Sequence, residues 1–524
     1  MDPKPASSPS NAKGFCLVFL ALALVAMAGT VAANLIVDPY WRFNLVSIDG
    51  FNAQHYAANS RLGKAGAVCR LQPSQIILGT SRAVVGLDPL HPGFNSVPGV
   101  VYNFAIAGSG LHEIDVNLRH AVHASKGLKR VIVALDFLMF NAHREVAAYG
   151  SEVLDFEEER LLVSDNDSCL RAFLYDANRL IGIRGLRSSH GSVVAQMHEP
   201  TTGNNPRLAE YISVVDPLGF QRRFSILDHV LAPDRGYRAM FGDAQEKYYT
   251  SKIWRAGPEQ RYCFSRAGQP NTIDVFKGMV RFARSSGADV RFLINPIHAR
   301  MLIAIREAGL WPQYEEWKRD LVKVLADEAA ESGKPQLPLW DFSGFNSITT
   351  EHVPAPNDTT TIMRNFWEPS HYKKETGDLM LDRVLGYKDR QRAVPEDFGI
   401  LLSPSNIESW LKSTRQGAAS YAASEAAEVG IVKTIVDDVM SDANGANCGE
   451  DVEAARQGAA LVAQGDAAGA ADAFDRAVAL HERDRKLSAD LGVPYRERGF
   501  EKILAESRQG HTRTISAMRS ASDR

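Results

Sequence analysis

Apolar residues fall along the chain in two rhythms. The first is one unbroken run, Phe15 to Val37 (FCLVFLALALVAMAGTVAANLIV), 23 residues without a charge, preceded by Lys4 and Lys13 and followed by Asp38-Pro39-Tyr40 and Arg42. A run of that length spans a bilayer. The alternative is a cleavable signal peptide, because Ala26-Met27-Ala28 supplies a small-x-small site and Phe15 to Met27 has the length of a signal core. The run continues well past that site, which favours an uncleaved signal anchor over 15–37 behind a cytoplasmic tail over 1–14. Either way the rest of the chain is exported.

The second rhythm begins near residue 75, after an irregular lead-in, and alternates short apolar runs with helical patterns. Candidate strands are Gln75–Leu78, Val100–Phe104, Arg130–Leu135, Asp289–Ile294 and Leu337–Trp340, each short and bounded by turn residues as buried strands are. Helix periodicity fills Leu111–Ala124, Thr272–Ser285 and Gln313–Glu331, with Gly127, Gly287 and Gly333 placed to cap them. Strands alternating with helices predict a parallel sheet in an α/β domain over about 38–392. The stretch between the third and fourth strands is too long for a loop and is read as a helical insertion over about 145–270.

From about Ala393 to the end at 524 the chain turns alanine-rich and charged, with few aromatic residues after Trp410, which predicts a helical appendage. Within it Gly458, Gly465, Ala470, Phe474 and Ala477 stand at the spacing of one tetratricopeptide-like repeat over about 451–484. A lone repeat cannot bury its own face, so an amphipathic helix pair packed on the main domain fits the same residues.

Composition narrows the function classes. The chain is 45% hydrophobic and carries a formal net charge of −3, so it has core enough for a large domain and no broad basic field for nucleic acid. Of the five cysteines, Cys16 lies in the apolar run; Cys69, Cys169, Cys263 and Cys448 allow disulfides without dictating a pairing. No spacing implies a metal or an organic cofactor.

Three segments carry residue types suited to chemistry. Gly79-Thr80-Ser81-Arg82 follows the first strand and sets a serine at the carboxyl edge of a parallel sheet, where α/β folds bind ligands. Asn103-Phe104-Ala105-Ile106-Ala107-Gly108-Ser109-Gly110 ends the second strand with glycines that allow close backbone approach, so Gly108 could offer an oxyanion N–H beside that of Ser81. Trp367-Glu368-Pro369-Ser370-His371-Tyr372 puts a carboxylate three residues ahead of a histidine, a spacing that lets one tight turn fix the imidazole and leave Nε2 as base. Each has a plain structural counterpart: a helix cap, a strand-to-helix turn and a surface histidine. Asp136 and His298, at strand ends, are candidates to shape a pocket or to cap helices. Arg82 could hold a substrate carboxylate or a structural ion pair.

Taken in order, these segments resemble the SGNH hydrolase superfamily over roughly residues 70–390, and within it the membrane-anchored SGNH-like proteins of bacterial envelopes, whose lead-in Asn34-Leu35-Ile36-Val37-Asp38-Pro39-Tyr40 is also similar. The resemblance implies a flavodoxin-like, three-layer α/β/α parallel sheet. It also implies single-pass attachment to the inner membrane of a bacterium, with the body in the periplasm or at the cell exterior. It makes Ser81 the nucleophile, His371 the base and acid, Glu368 the orienting carboxylate, and Ser81 and Gly108 the oxyanion donors. Glutamate stands where aspartate is usual. Leu135-Asp136-Phe137 stands where the superfamily carries G-x-N-D, so its oxyanion asparagine is missing; Asn103 and Asn141 are candidate replacements. The expected activity is acyl-ester hydrolysis or O-acyl transfer through an acyl-serine, from an acyl donor to a hydroxyl acceptor such as an envelope polysaccharide, with a membrane acyl-transfer protein as a conceivable partner. The alternative is a non-catalytic glycan-binding or scaffolding protein.

Overall fold

The computed structural model describes residues 9–39, 61–142, 262–265, 270–356, 358–440 and 450–495. It also describes shorter pieces at 43, 45–46, 48, 51–52, 169, 185–187, 189–190, 193, 216–221, 236–241 and 505. Most of the expected insertion over 145–270, and Cys448, lie outside the described residues.

Helix α1 (Pro9–Val37) contains the one described segment long and apolar enough to cross a membrane, Ala12–Val37. Its side chains from Phe15 to Met27 are exposed, whereas Asn34 and Val37 are buried, so among the described residues the helix meets the body at its end. The lead-in is less irregular than expected. A second helix, α2 (Arg61–Leu71), packs against α4 (Leu111–Ala124), and Cys69 on α2 forms a disulfide with Cys169.

The fold is mixed α/β around a six-stranded, mostly parallel sheet: β1 (Gln75–Leu78), β2 (Val101–Asn103), β3 (Arg130–Leu135), β4 (Asp289–Ile294), β5 (Leu339–Asp341) and, after the separate hairpin β6 (Phe366–Glu368) and β7 (His371–Tyr372), β8 (Ile400–Leu401). Five strands run parallel in the order β2-β1-β3-β4-β5, a doubly wound order, and β8 closes the edge antiparallel to β5. Registers such as Gln75 with Arg130 and Arg130 with Asp289 align the carboxyl ends of β1, β3 and β4 at one edge.

Alternating strand residues enter two cores, as period-two geometry demands. Ile76, Leu78, Val131, Val133, Phe292 and Ile294 point to one face, covered by α2, α4, α5 (Thr272–Ser285), α6 (Ala299–Glu307) and α7 (Trp311–Ser332). Ile77, Ile132, Ala134 and Leu293 point to the other, covered by α3 (Ser81–Gly86), the hairpin and α8 (Lys374–Leu385). Helices on both faces are compatible with a three-layer α/β/α arrangement. The helix ends follow local chemistry. Asn271 caps α5 by accepting from Ile273 N at 2.8 Å, and Gly333 ends α7 at φ +62°. Gly127 does not cap α4; the chain leaves that helix at Ser125 in extended conformation.

C-terminal helices α9 (Ile407–Ser424) and α10 (Ala426–Met440) belong to the main core, where Leu411, Val432 and Val436 are fully buried. One tie is ionic. Asp341 on β5 accepts from Lys318 Nζ on α7 and from Trp410 Nε1 on α9, each at 2.7 Å, with neither charged side chain exposed. Burial raises the Asp341 carboxyl, but the Lys318 charge outweighs it and holds the group below the ordinary range. Helices α11 (Glu450–Ala463) and α12 (Ala467–Asp490) pair through a small cluster of their own, Ala454, Ala455, Ala470, Phe474 and Ala477. There Gly458 lies so close to the Phe474 ring that a Cβ would stand 2.5 Å from it.

Candidate active site

The carboxyl edge of the sheet gathers three turns. Gly79, at φ +156°, leaves β1 with room for no side chain, since a Cβ would meet Ala83 at 2.8 Å and Ala134 at 3.0 Å. That tight exit starts α3 at once and places Ser81, half-buried, on its first turn. Ile106 N donates to Gly79 O at 3.0 Å, which draws the turn after β2 against the turn after β1; Gly108 adopts φ +77° in it.

The third turn is the β6–β7 hairpin. Glu368 and His371 pair across it, and Ser370 N donates to Glu368 Oε2 at 2.9 Å, bending the turn so that Glu368 Oε1 contacts His371 Nδ1. Ser370 Oγ stands 3.2 Å from the same nitrogen. An ionised carboxylate only accepts hydrogen bonds, so Nδ1 carries the imidazole proton and Nε2 is the acceptor. Ser81 Oγ donates to that Nε2 at 2.7 Å, across 290 residues of sequence. Glu368 is fully buried and His371 is 7% exposed, so water competes little for these bonds. Chemically, the arrangement can take a proton from Ser81 while the carboxylate stabilises the imidazolium that forms.

The structure directs the other polar candidates elsewhere. Asn103 donates from Nδ2 to Ala83 O at 2.8 Å and to Leu87 O at 2.9 Å, so its amide holds the end of α3 and does not face Ser81. Asn141 accepts from Cys263 N at 3.1 Å where the chain returns from the insertion. His298 caps α6, accepting from Arg300 N at 3.2 Å and donating to Glu351 O at 2.6 Å. Burial pulls its pKa down to about 3, so it stays neutral between the rings of Phe241 and Phe366. Asn103 and His298 are thus spent on helix ends, and the Asn141 side-chain carbonyl on the insertion's return.

Arg82 and Asp136 meet each other. Arg82 Nη1 is 2.6 Å from Asp136 Oδ1, and Arg82 Nε donates to Ser370 O at 2.7 Å. Asp136 also accepts from the Thr80 hydroxyl and, at 3.1 Å, from Asn295 Nδ2, while Tyr372 OH donates to Asn295 Oδ1 at 2.8 Å. Burial is the main reason the Tyr372 phenol titrates well above its usual range, with Asp136 adding to it. The joint role of Asn295 and Tyr372 was not readable in the sequence, where each is an ordinary polar residue at a strand end.

Part of the insertion reaches this edge. Asn103 N donates to Leu218 O at 2.7 Å and Gln221 N to Val84 O at 3.0 Å. Buried Lys64 donates to the carbonyls of Asn103, Ala105 and Gly219, at 3.2, 2.6 and 2.9 Å. Burial lowers its pKa to about 7 against the opposing pull of Asp216. A cavity of about 250 Å³ lies away from the triad, between Tyr262–Ser265, the start of α7 and α12. Among the described residues, no group of histidine, cysteine and carboxylate side chains is gathered as metal ligands.

No protein-family model matches the chain, and no curated protein sequence matches it either.

Proposed function

We propose that the chain is a serine-dependent acyl-ester hydrolase or O-acyltransferase of the SGNH type, exported and held at the membrane by α1. The observation that carries this reading is the 2.7 Å bond from Ser81 Oγ to His371 Nε2, with Glu368 on the far nitrogen of the ring. In the reaction, Ser81 Oγ gives its proton to Nε2 and bonds to the acyl carbon. The tetrahedral oxyanion is held by the backbone N–H groups of Ser81 and Gly108. His371 then returns the proton to the leaving oxygen, and the acyl-Ser81 ester remains. Water or an acceptor hydroxyl, deprotonated by the same Nε2, takes the acyl group and restores the serine. An envelope polysaccharide is the acceptor the resemblance to SGNH-like envelope proteins suggests.

Export is supported by α1 and by the Cys69–Cys169 disulfide, together with the disulfide-bonded state of Cys263, since such bonds persist in oxidising compartments. A bacterial inner membrane with the body in the periplasm fits both features. The contest between hydrolysis and transfer is decided by which hydroxyl reaches the acyl-enzyme.

One observation favours the second reading, a non-catalytic glycan-binding or scaffolding protein. The side-chain amides of Asn103 and Asn295 are committed to other partners, so neither replaces the oxyanion asparagine that Asp136 displaces. Losing one such donor typically costs about 10²–10³ in turnover, which weakens catalysis without abolishing it. The deciding experiment is hydrolysis of short-chain acyl esters by the wild type and by Ser81→Ala. Turnover abolished by the substitution supports the enzyme; turnover equal in both proteins refutes the role of Ser81.

A further inference from the structure

The nucleophile and its base come from distant parts of the chain, and a bond of 2.7 Å between them needs something to hold the two turns in register. The residues that flank them supply it. Thr80 and Arg82 bracket Ser81; Ser370 and Tyr372 bracket His371. Arg82 Nε donates to Ser370 O, Arg82 Nη1 pairs with Asp136, Thr80 Oγ1 donates to Asp136, and Tyr372 OH donates to Asn295, whose amide returns to Asp136. These bonds close a ring that starts on one side of Ser81, passes through the hairpin and returns to the other side. All of its side chains are buried, those of Arg82 and Asp136 to 5% and 2% exposure.

We propose that Arg82 and Asp136 are positioning residues, a buried clamp that sets the distance and angle between Ser81 and His371. The proposal rests on the triad reading above, and neither residue touches substrate. Two physical points separate a clamp from a merely structural pair. A buried ion pair is weak evidence of net stabilisation, since apolar residues of like volume often serve as well, so stability alone does not account for charge at this place. A guanidinium, moreover, is a rigid planar fork, and Arg82 uses two of its edges in different directions, one toward the hairpin carbonyl and one toward the β3 carboxylate. Lysine, a point donor on a flexible stem, lacks the planar fork that fixes those two directions relative to each other. The backbone carbonyl beside Ser370 is held as well, by His298 N donating to Pro369 O at 2.9 Å, so the hairpin tip is fixed from two sides and the clamp controls the side facing the nucleophile.

The test uses the full-length protein in detergent and three variants: Arg82→Lys, Asp136→Asn and Tyr372→Phe. Five quantities are read: the rate of labelling by a serine-directed phosphonate, kcat and KM on an acyl ester, the low-field proton resonance of His371 Nδ1–H, assigned by its loss in His371→Gln, and the thermal midpoint. A misplacement of about 1 Å is worth roughly 10²-fold in rate. Folded Arg82→Lys is therefore expected to label and turn over about 100-fold more slowly, with KM unchanged and the His371 resonance shifted or lost. Asp136→Asn is expected to follow it, and Tyr372→Phe to lose less because it deletes only one bond of the ring. If Arg82→Lys fails to fold, Asp136→Asn and Tyr372→Phe carry the same comparison. Folded variants with wild-type labelling and an unmoved resonance overturn the clamp. Failure of the triad reading looks different: the wild type itself goes unlabelled. The resonance then decides alone, a shift in the variants supporting the clamp and no shift overturning it.

Discussion

Glycine at 377 is predicted to be as necessary to the site as the residues that line it. Gly377 lies on α8 against the end of α3, and an added Cβ would stand 1.7 Å from Gly86 O and 2.6 Å from Gly86 C. Ordinary contact begins near 3.4 Å, so in Gly377→Ala the carbonyl must retreat by about 1.7 Å. It has nowhere easy to go, because Gly86 also faces the buried Tyr372 ring, 2.0 Å from where its own Cβ would be. Overpacking of this kind costs about 1–3 kcal/mol, and the better helix propensity of alanine returns roughly 0.5–1. The net loss, up to about 2.5 kcal/mol, corresponds to a fall of a few degrees in the thermal midpoint, at roughly 2 °C per kcal/mol for a body of this size. Because α3 is six residues long and begins with Ser81, displacement of its end carries the nucleophile with it, and phosphonate labelling is expected to slow by about 100-fold. Gly278→Ala is the control: it lies mid-helix on α5 with nothing within 4 Å, and it is expected to be neutral or to stabilise by about 0.5–1 kcal/mol. Gly377→Ala that melts and labels like the wild type would show that α3 does not depend on this contact.

Three further outcomes follow from the buried groups. Lys318→Met strands Asp341 and is expected to cost about 3–5 kcal/mol in denaturant unfolding; adding Asp341→Asn, which removes the unpaired charge and keeps one acceptor oxygen, should recover part of that, and strict additivity of the two losses would count against a true ion pair. Breaking the Cys69–Cys169 bond by Cys69→Ser releases a loop of 100 residues and is expected to lose about 2–5 kcal/mol, read as a lower midpoint; a thiol reductant, which also opens the bond at Cys263, should lower the wild-type midpoint at least as far. His298 is neutral when folded because its pKa is lowered to about 3, so the unfolded chain binds its proton first and stability falls as pH drops from about 6.5 toward 3, by up to about 1.4 kcal/mol per pH unit from this group. His298→Asn keeps a capping side chain and should show a shallower loss between pH 6.5 and 4.5; an unchanged slope would remove His298 from the account.

The parts of the fold legible in the sequence were those with a strong period. Gln75–Leu78, Arg130–Leu135 and Asp289–Ile294 are strands, and Leu111–Ala124 and Thr272–Ser285 helices, over the same residues the apolar pattern marks. Short elements were not legible: a six-residue α3, a two-residue β7 and β8 complete no period, and their conformation comes from the contacts they make. The three residues brought together at the sheet edge carry local marks, a serine after a strand and an acid three residues before a histidine. Asp136 carries only the mark of a strand-end candidate, and its joining with Asn295 and Tyr372 was not legible, because a ring of bonds joining β3, β4 and β7 exists only once the sheet has formed. Asn103 is not free to serve as an oxyanion donor for a related reason: an asparagine beside a helix end satisfies backbone groups first, since leaving those unpaired in a core costs about 1–3 kcal/mol each.

The measurement that bears most directly on the triad is covalent labelling of the full-length protein with a serine-directed fluorophosphonate, followed by peptide mapping of the adduct. A single adduct on Ser81 is expected, lost in Ser81→Ala and strongly slowed in His371→Ala. A folded wild-type protein that takes no label, or that takes it equally in Ser81→Ala, would contradict it.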